Sequence, residues 1–251
     1  MQFTRERTQD GVTERLFDLE VAGQRVPAVV WAPEDAVGPR PLVLMGHGGS
    51  QHKKIGSLAA RARRYARRLG YATAAIDAPG HGERVSREEA MRLTREITAR
   101  VQGGAAARDD LISTMGDRIR QAVPEWQAAL DAVQALDFVG VGKVGYWGVS
   151  MGTAIGVPFV AHEPRIDAAV FGLAGLRPGA LATAEAAARI AIPVEFVFQW
   201  DDAIAPRETG IALFDAFGSA EKTLHVNPGG HLAIPDFEGD AWERFFQRHL
   251  G

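Results

Sequence analysis

The stretch that most constrains this chain is Tyr146-Trp147-Gly148-Val149-Ser150-Met151-Gly152-Thr153. Lys143 to Trp147 reads as the end of a buried strand. Gly152 to Ala161 is rich in small and apolar residues, as a helix lying close against a sheet is. A serine at such a strand-to-helix junction sits on a sharp, strained turn, and glycine on either side lets neighbouring backbone pass where a Cβ would clash. A chain that keeps this turn needs a sheet whose strand ends gather along one edge, with helices packed on its faces.

At 251 residues the chain suits one α/β domain spanning 1–251, which buries roughly three quarters of its unfolded surface and needs no staples. It contains no cysteine, which excludes disulfides, a thiolate metal site and a cysteine nucleophile. Met1 to Arg7 is polar and lacks an apolar signal core, and no window approaches the ~20 apolar residues of a membrane span. The expectation is a cytoplasmic protein with no membrane partner.

Net charge is −3. The cluster Arg61, Arg63, Arg64, Arg67 and Arg68 is read as a solvated helix face and not as a nucleic-acid patch, because Leu58, Ala62, Tyr65, Ala66 and Leu69 recur at helical spacing and leave the arginines opposite. Gly140 to Gly145 matches Gly-x-Gly-x-x-Gly but precedes a strand, so it is a loop and not a dinucleotide fingerprint. No phosphate loop is present, and His47, His52 and His81 match no metal-ligand spacing. No cofactor and no metal are expected.

Along the chain, residues 14–22 and 25–32 predict an antiparallel hairpin at one sheet edge, where Pro27 fits. Leu42 to Met45 is a continuous apolar run, a strand buried on both faces, ending in Gly46-His47-Gly48-Gly49-Ser50. A helix over 57–69, a strand over 71–76, and a loop Asp77-Ala78-Pro79-Gly80-His81-Gly82-Glu83 follow. Residues 124–136 predict a helix with Pro124 in its first turn. Strands at 143–147, 166–171, 194–199 and 223–226 alternate with helices at 180–190, 206–217 and 236–249. This order implies a mostly parallel sheet with helices on both faces. Residues 84–123 break the alternation. Ser86-Arg87-Glu88-Glu89 is a capping box opening a helix that Gly103-Gly104 ends, and Leu111, Met115 and Ile119 suggest a second. A helical insertion there is placed to wall or lid a pocket.

A serine hydroxyl needs a base to take its proton, and an acid to orient that base. Downstream of Ser150, Asp201 and Asp202 follow one strand and His231 follows the next, both at the sheet edge where open α/β folds bind ligands. His225 lies within a strand and is set aside. Met151, Trp200, Ile204 and Leu232 adjoin these positions and are candidates for a pocket lining.

Four motifs together, Gly46-His47-Gly48-Gly49, Asp77-Ala78-Pro79-Gly80-His81-Gly82, Gly148-Val149-Ser150-Met151-Gly152 and the Asp202 and His231 loops, resemble the α/β-hydrolase superfamily over roughly residues 14–250. The chain is closest in style to small esterases and to dienelactone-hydrolase-like or prolyl-oligopeptidase-like members. The resemblance implies Ser150 as nucleophile, His231 as base and Asp202 as acid. Asp202 is preferred to Asp201 because Pro206 follows it at the spacing seen in relatives. It also implies an oxyanion hole from the N–H groups of Met151 and Gly49, with Gly48 beside it. Dienelactone hydrolases proper usually carry a cysteine nucleophile, which this chain replaces with serine. The activity implied is hydrolysis of a small-molecule carboxylic ester through an acyl-enzyme. Two alternatives stand beside it: a thioesterase or acyl-peptidase on the same triad, favoured by any basic rim on the arginine-rich insertion, and a catalytically silent ligand-binding member. Monomer and homodimer are left open.

Overall fold

The computed structural model describes residues 1–102 and 116–251. Its nine strands are β1 (Phe3–Gln9), β2 (Val12–Val21), β3 (Gln24–Pro33), β4 (Leu42–Gly46), β5 (Ala72–Ile76), β6 (Val144–Val149), β7 (Ile166–Gly172), β8 (Val194–Gln199) and β9 (Lys222–Asn227). They form one sheet in the order β1-β2-β3-β5-β4-β6-β7-β8-β9. The pairs β1–β2, β2–β3 and β3–β5 are antiparallel; from β5 through β9 every pairing is parallel. Strands β4 and β5, Leu-Val-Leu-Met-Gly and Ala-Thr-Ala-Ala-Ile, are buried at every position, as strands covered on both faces must be.

The described helices are α1 (Gly56–Leu69), α2 (Arg87–Gln102), α3 (Gly116–Gln134), α4 (Met151–His162), α5 (Leu181–Arg189), α6 (Arg207–Ala216) and α7 (Glu238–Leu250). Side-chain alternation along the strands splits the core in two. Tyr146, Phe171 and Phe196 face Trp126 of α3, Ile155 of α4, Ala187 of α5 and Leu213 of α6. Trp147, Val170 and Val197 face Leu58 and Tyr65 of α1 and Trp242 and Phe246 of α7. None of the described helices is long and apolar enough to cross a membrane.

Three local expectations are corrected. The sheet does not begin at the hairpin: β1 lies outside it, with six of its seven residues exposed, held by its ladder to β2. Pro27 is in β3, an inner strand. Pairing to β5 runs from Ala28 to Trp31, so the missing N–H of Pro27 falls past the end of the ladder, while its carbonyl accepts the Asp77 N–H at 2.9 Å. Pro124 stands inside α3 instead of in its first turn. The capping box is formed: Glu89 N–H donates to Ser86 Oγ at 3.1 Å and Ser86 N–H to Glu89 Oε2 at 3.3 Å. Gly103-Gly104, Leu111 and Met115 lie outside the described residues.

Candidate active site

Ser150 links β6 directly to α4. Its backbone takes φ 58° and ψ −120°, a conformation unfavourable for any residue with a Cβ. The surroundings hold it there. Ser150 N–H donates to Gly172 O at 2.8 Å, Tyr146 O–H to Gly152 O at 2.7 Å, and Gly172 N–H to Thr153 Oγ1 at 2.8 Å. A Cβ on Gly152 would lie 2.6 Å from Gly46 O, and one on Gly148 would lie 2.8 Å from the Gly152 backbone. The two glycines therefore let β4, β6 and α4 meet at the serine.

The loops after β8 and β9 bring two more side chains to it. His231 Nε2 is 2.9 Å from Ser150 Oγ, and His231 Nδ1 is 2.7 Å from Asp202 Oδ2. The partners assign the tautomer: Nδ1–H donates to the carboxylate and Nε2 accepts from the serine hydroxyl. Asp202 is buried, and its other oxygen accepts the N–H groups of Ile204 at 2.8 Å and Ala205 at 3.0 Å. Asp201 faces away and accepts Gly229 N–H through Oδ2 at 3.0 Å. Of the two neighbouring acids, only Asp202 reaches the histidine. His225 is elsewhere, 2.8 Å from Glu238 Oε2.

At the end of β4, Gly48 N–H is taken by Gln51 Oε1 at 3.1 Å. The N–H groups of Gly49 and of Met151, the first residue of α4, have no acceptor among the described residues. His47 fixes this loop: Nδ1–H donates to Gly48 O at 2.8 Å, while Nε2 accepts Ala78 N–H at 3.0 Å. Burial lowers its pKa to about 4, so the ring is neutral. Beneath it, buried Asp77 accepts the Lys53 N–H and Nζ, each at 2.8 Å, and Glu83 N–H at 2.9 Å.

Ser150 and His231 open on a cavity of about 840 Å³, lined also by Gly48, Gly49, Met151, Ile204 and Leu232. Its walls include Leu93 of α2 and Ile119 of α3, so the described parts of the insertion border the pocket. Trp200 does not line it. Its ring, 48 % exposed, stacks on Phe198 and lies under Arg207 on the outside.

Sequence reasoning missed Arg61, Trp147 and Trp242, which also line the cavity. Arg61 is not on the solvated face of α1; its guanidinium lies over the Trp147 and Trp242 rings. The signal was available, because Arg61 follows Leu58 by three residues and precedes Tyr65 by four, on the border of the apolar stripe. Of the basic rim considered on the insertion, three arginines are already paired, while Arg118 lines the cavity. Arg84 forms a two-pronged pair with buried Glu125 at 2.6 and 2.9 Å; Arg92 pairs with Glu96 and Arg120 with Asp117.

No family model and no curated protein matches the chain. Among solved structures, a cold-adapted esterase from an Arctic intertidal metagenomic library, in a polyethylene glycol complex, is 35 % identical over 100 % of both chains with a TM-score of 0.80. An acetyl xylan esterase from Paenibacillus sp. R4 shares the fold at 14 % identity, covering 99 % of this chain and 88 % of its own, with a TM-score of 0.70. So does a dienelactone hydrolase from Anabaena variabilis, at 18 % identity, 96 % and 100 % coverage, and a TM-score of 0.66. Sheet order, the strained serine and 35 % identity to the metagenomic esterase over the full length lead to one assignment: the chain belongs to the α/β-hydrolase superfamily, as an esterase-like member.

Proposed function

We propose that the protein hydrolyses carboxylic esters through a serine acyl-enzyme, with Ser150 as nucleophile, His231 as general base and acid, and Asp202 as the acid that orients it. The observation that carries this reading is the unbroken hydrogen-bond chain from Asp202 through His231 to Ser150 Oγ, beside two N–H groups with no acceptor among the described residues. Esterases among the structural neighbours support the reaction class.

Ser150 Oγ attacks the ester carbonyl while its proton passes to His231 Nε2. The imidazolium that results is stabilised by the Asp202 side chain, which two backbone donors hold in place. The carbonyl oxygen becomes the oxyanion, and the N–H groups of Met151 and Gly49 are proposed to receive it. His231 then protonates the departing alkoxide. Water enters, gives its proton to the same nitrogen, and attacks the acyl carbon; the second tetrahedral species collapses to the acid and free Ser150. The triad alone does not choose the leaving group. For thioester substrates with phosphate groups, Arg84, Arg92 and Arg120 already have acidic partners, whereas Arg118 lines the cavity.

The test is hydrolysis of p-nitrophenyl esters from acetate to palmitate by the wild type and by Ser150→Ala. The expected result is turnover of the wild type with a chain-length optimum set by the cavity, and a fall of about 10⁴-fold or more in kcat in the variant. Equal activity in the two proteins refutes the serine mechanism.

A further inference from the structure

Helix α1 carries several arginines; Arg67 is exposed to solvent, and Arg61 alone among them lines the cavity. Arg63 pairs with Glu14, Arg64 with Asp240 and Glu243, and Arg68 with Glu243. Arg61 has no carboxylate, carbonyl or other hydrogen-bond acceptor among the described residues. Its guanidinium carbon lies 4.0 Å from the centre of the Trp147 ring and 4.6 Å from that of Trp242. The indoles meet edge to face, with ring centres 5.4 Å apart. Burial lowers its pKa only to about 10, which leaves the cation intact at neutral pH.

Two indole faces offset part of the cost of desolvating a guanidinium. They do nothing for its N–H donors, which lie in the guanidinium plane and need acceptors at its edge. A partly buried cation with unmet donors is costly, and in proteins such a charge ordinarily has an anion beside it. Among the described residues no anion fills that place, and Arg61 borders the same cavity as Ser150. The two indoles hold the fork rigidly, which suits a planar two-oxygen acceptor more than a point charge.

The geometry points to Arg61, held in the corner that the Trp147 and Trp242 rings make, as the subsite for a carboxylate carried by the ester substrate. This rests on the esterase reading and names its substrate class: an ester whose acyl or alcohol part ends in a free carboxylate. Trp147 precedes Ser150 by three residues on β6, so the subsite lies on the order of 10 Å along the strand from the reacting serine. The carboxylate is therefore separated from the scissile carbonyl by a spacer of several bonds, and is not adjacent to it.

The experiment compares mono-p-nitrophenyl esters of succinate, glutarate, adipate and suberate with neutral p-nitrophenyl esters of equal chain length. Wild type, Arg61→Met and Arg61→Lys are assayed on both series. The expected wild-type result is a preference of about tenfold or more in kcat/KM for the ω-carboxy ester at one or more lengths. Arg61→Met should lower the ratio of ω-carboxy to neutral activity by about ten- to hundredfold, and Arg61→Lys should keep part of it. A wild type that prefers the neutral ester at every length, or a folded Arg61→Met with an unchanged ratio, overturns the proposal. A second arm needs no turnover: calorimetric binding of monomethyl adipate to Ser150→Ala, with and without Arg61→Met. Binding that depends on Arg61 supports the subsite, and its absence from Ser150→Ala overturns it. If neither ester series is turned over and the wild type takes no fluorophosphonate, the esterase reading has failed, and the binding arm still decides on Arg61.

Discussion

Glycines that look alike in the sequence have opposite tolerances around Ser150. A Cβ at Gly152 would strike the Gly46 carbonyl, whereas one at Gly49 meets nothing within 4 Å. Gly152→Ala is therefore expected to lose about 1–3 kcal/mol of stability from overpacking, read by urea denaturation, and Gly49→Ala to fold normally. Gly49→Pro keeps the position but deletes the N–H proposed for the oxyanion, so kcat should fall by about 10²–10³-fold with little change in Tm. His47 gives a second residue-scale prediction. Folded His47 has a pKa of about 4, lowered by burial and by its neighbour His81, against 6.5 for an unperturbed histidine. Between those pH values the unfolded chain binds a proton that the folded one refuses. Its contribution is thus complete above pH 6.5 and is lost as pH falls towards 4, by roughly 2–3 kcal/mol. Denaturation curves across that range should show a shallower acid loss for His47→Gln than for the wild type. The residues of the hydrogen-bond chain were legible because their chemistry requires Ser, His and Asp at strand ends. Arg61 was not read correctly, because a charge beside an apolar stripe looks solvated until Trp242, 181 positions away in sequence, covers it.

At the scale of elements, the loops after β4 and β5 are held together from beneath. Lys53 is 2 % exposed and Asp77 fully buried, with Nζ and Oδ2 2.8 Å apart. Asp77→Ala leaves the buried lysine with only the half-exposed Glu83, at 2.6 Å, as a carboxylate partner and removes an acceptor of two backbone donors. It should cost about 3–5 kcal/mol of stability, measured by chemical denaturation, and loosen the Gly48–Gly49 loop along with it. The pair Arg84–Glu125 similarly anchors the start of the insertion to α3. Buried strands and amphipathic helices were legible element by element, since each carries its own apolar period. β1 was not, because Thr4 to Gln9 offers no apolar face; backbone pairing to β2 holds it. The start of α3 was misplaced because Pro124 reads as a first-turn residue, while the described helix already runs from Gly116. Trp200 follows β8 in sequence, but its ring turns out onto Phe198 and under Arg207, an orientation no local pattern specifies.

Across the whole molecule, the sheet brings together groups that are far apart in sequence. Ser150, Asp202 and His231 sit at the ends of β6, β8 and β9, and β4 lays Gly49 beside them. The parallel half of the sheet orders these strand ends along one edge, which is why chain order and strand assignment already brought the residues of the candidate site together. What the sequence left open was the cavity: its depth between α1 and α7, and the guanidinium held there in the corner of two indoles. The measurement that tests the central claim most directly is intact-mass analysis after treatment with a fluorophosphonate, followed by peptide mapping. The wild type should gain one adduct on Ser150, Ser150→Ala none, and His231→Ala one only much more slowly, because its serine lacks a base. An adduct mapped to another residue, or an unlabelled wild type that still hydrolyses esters, would contradict the account.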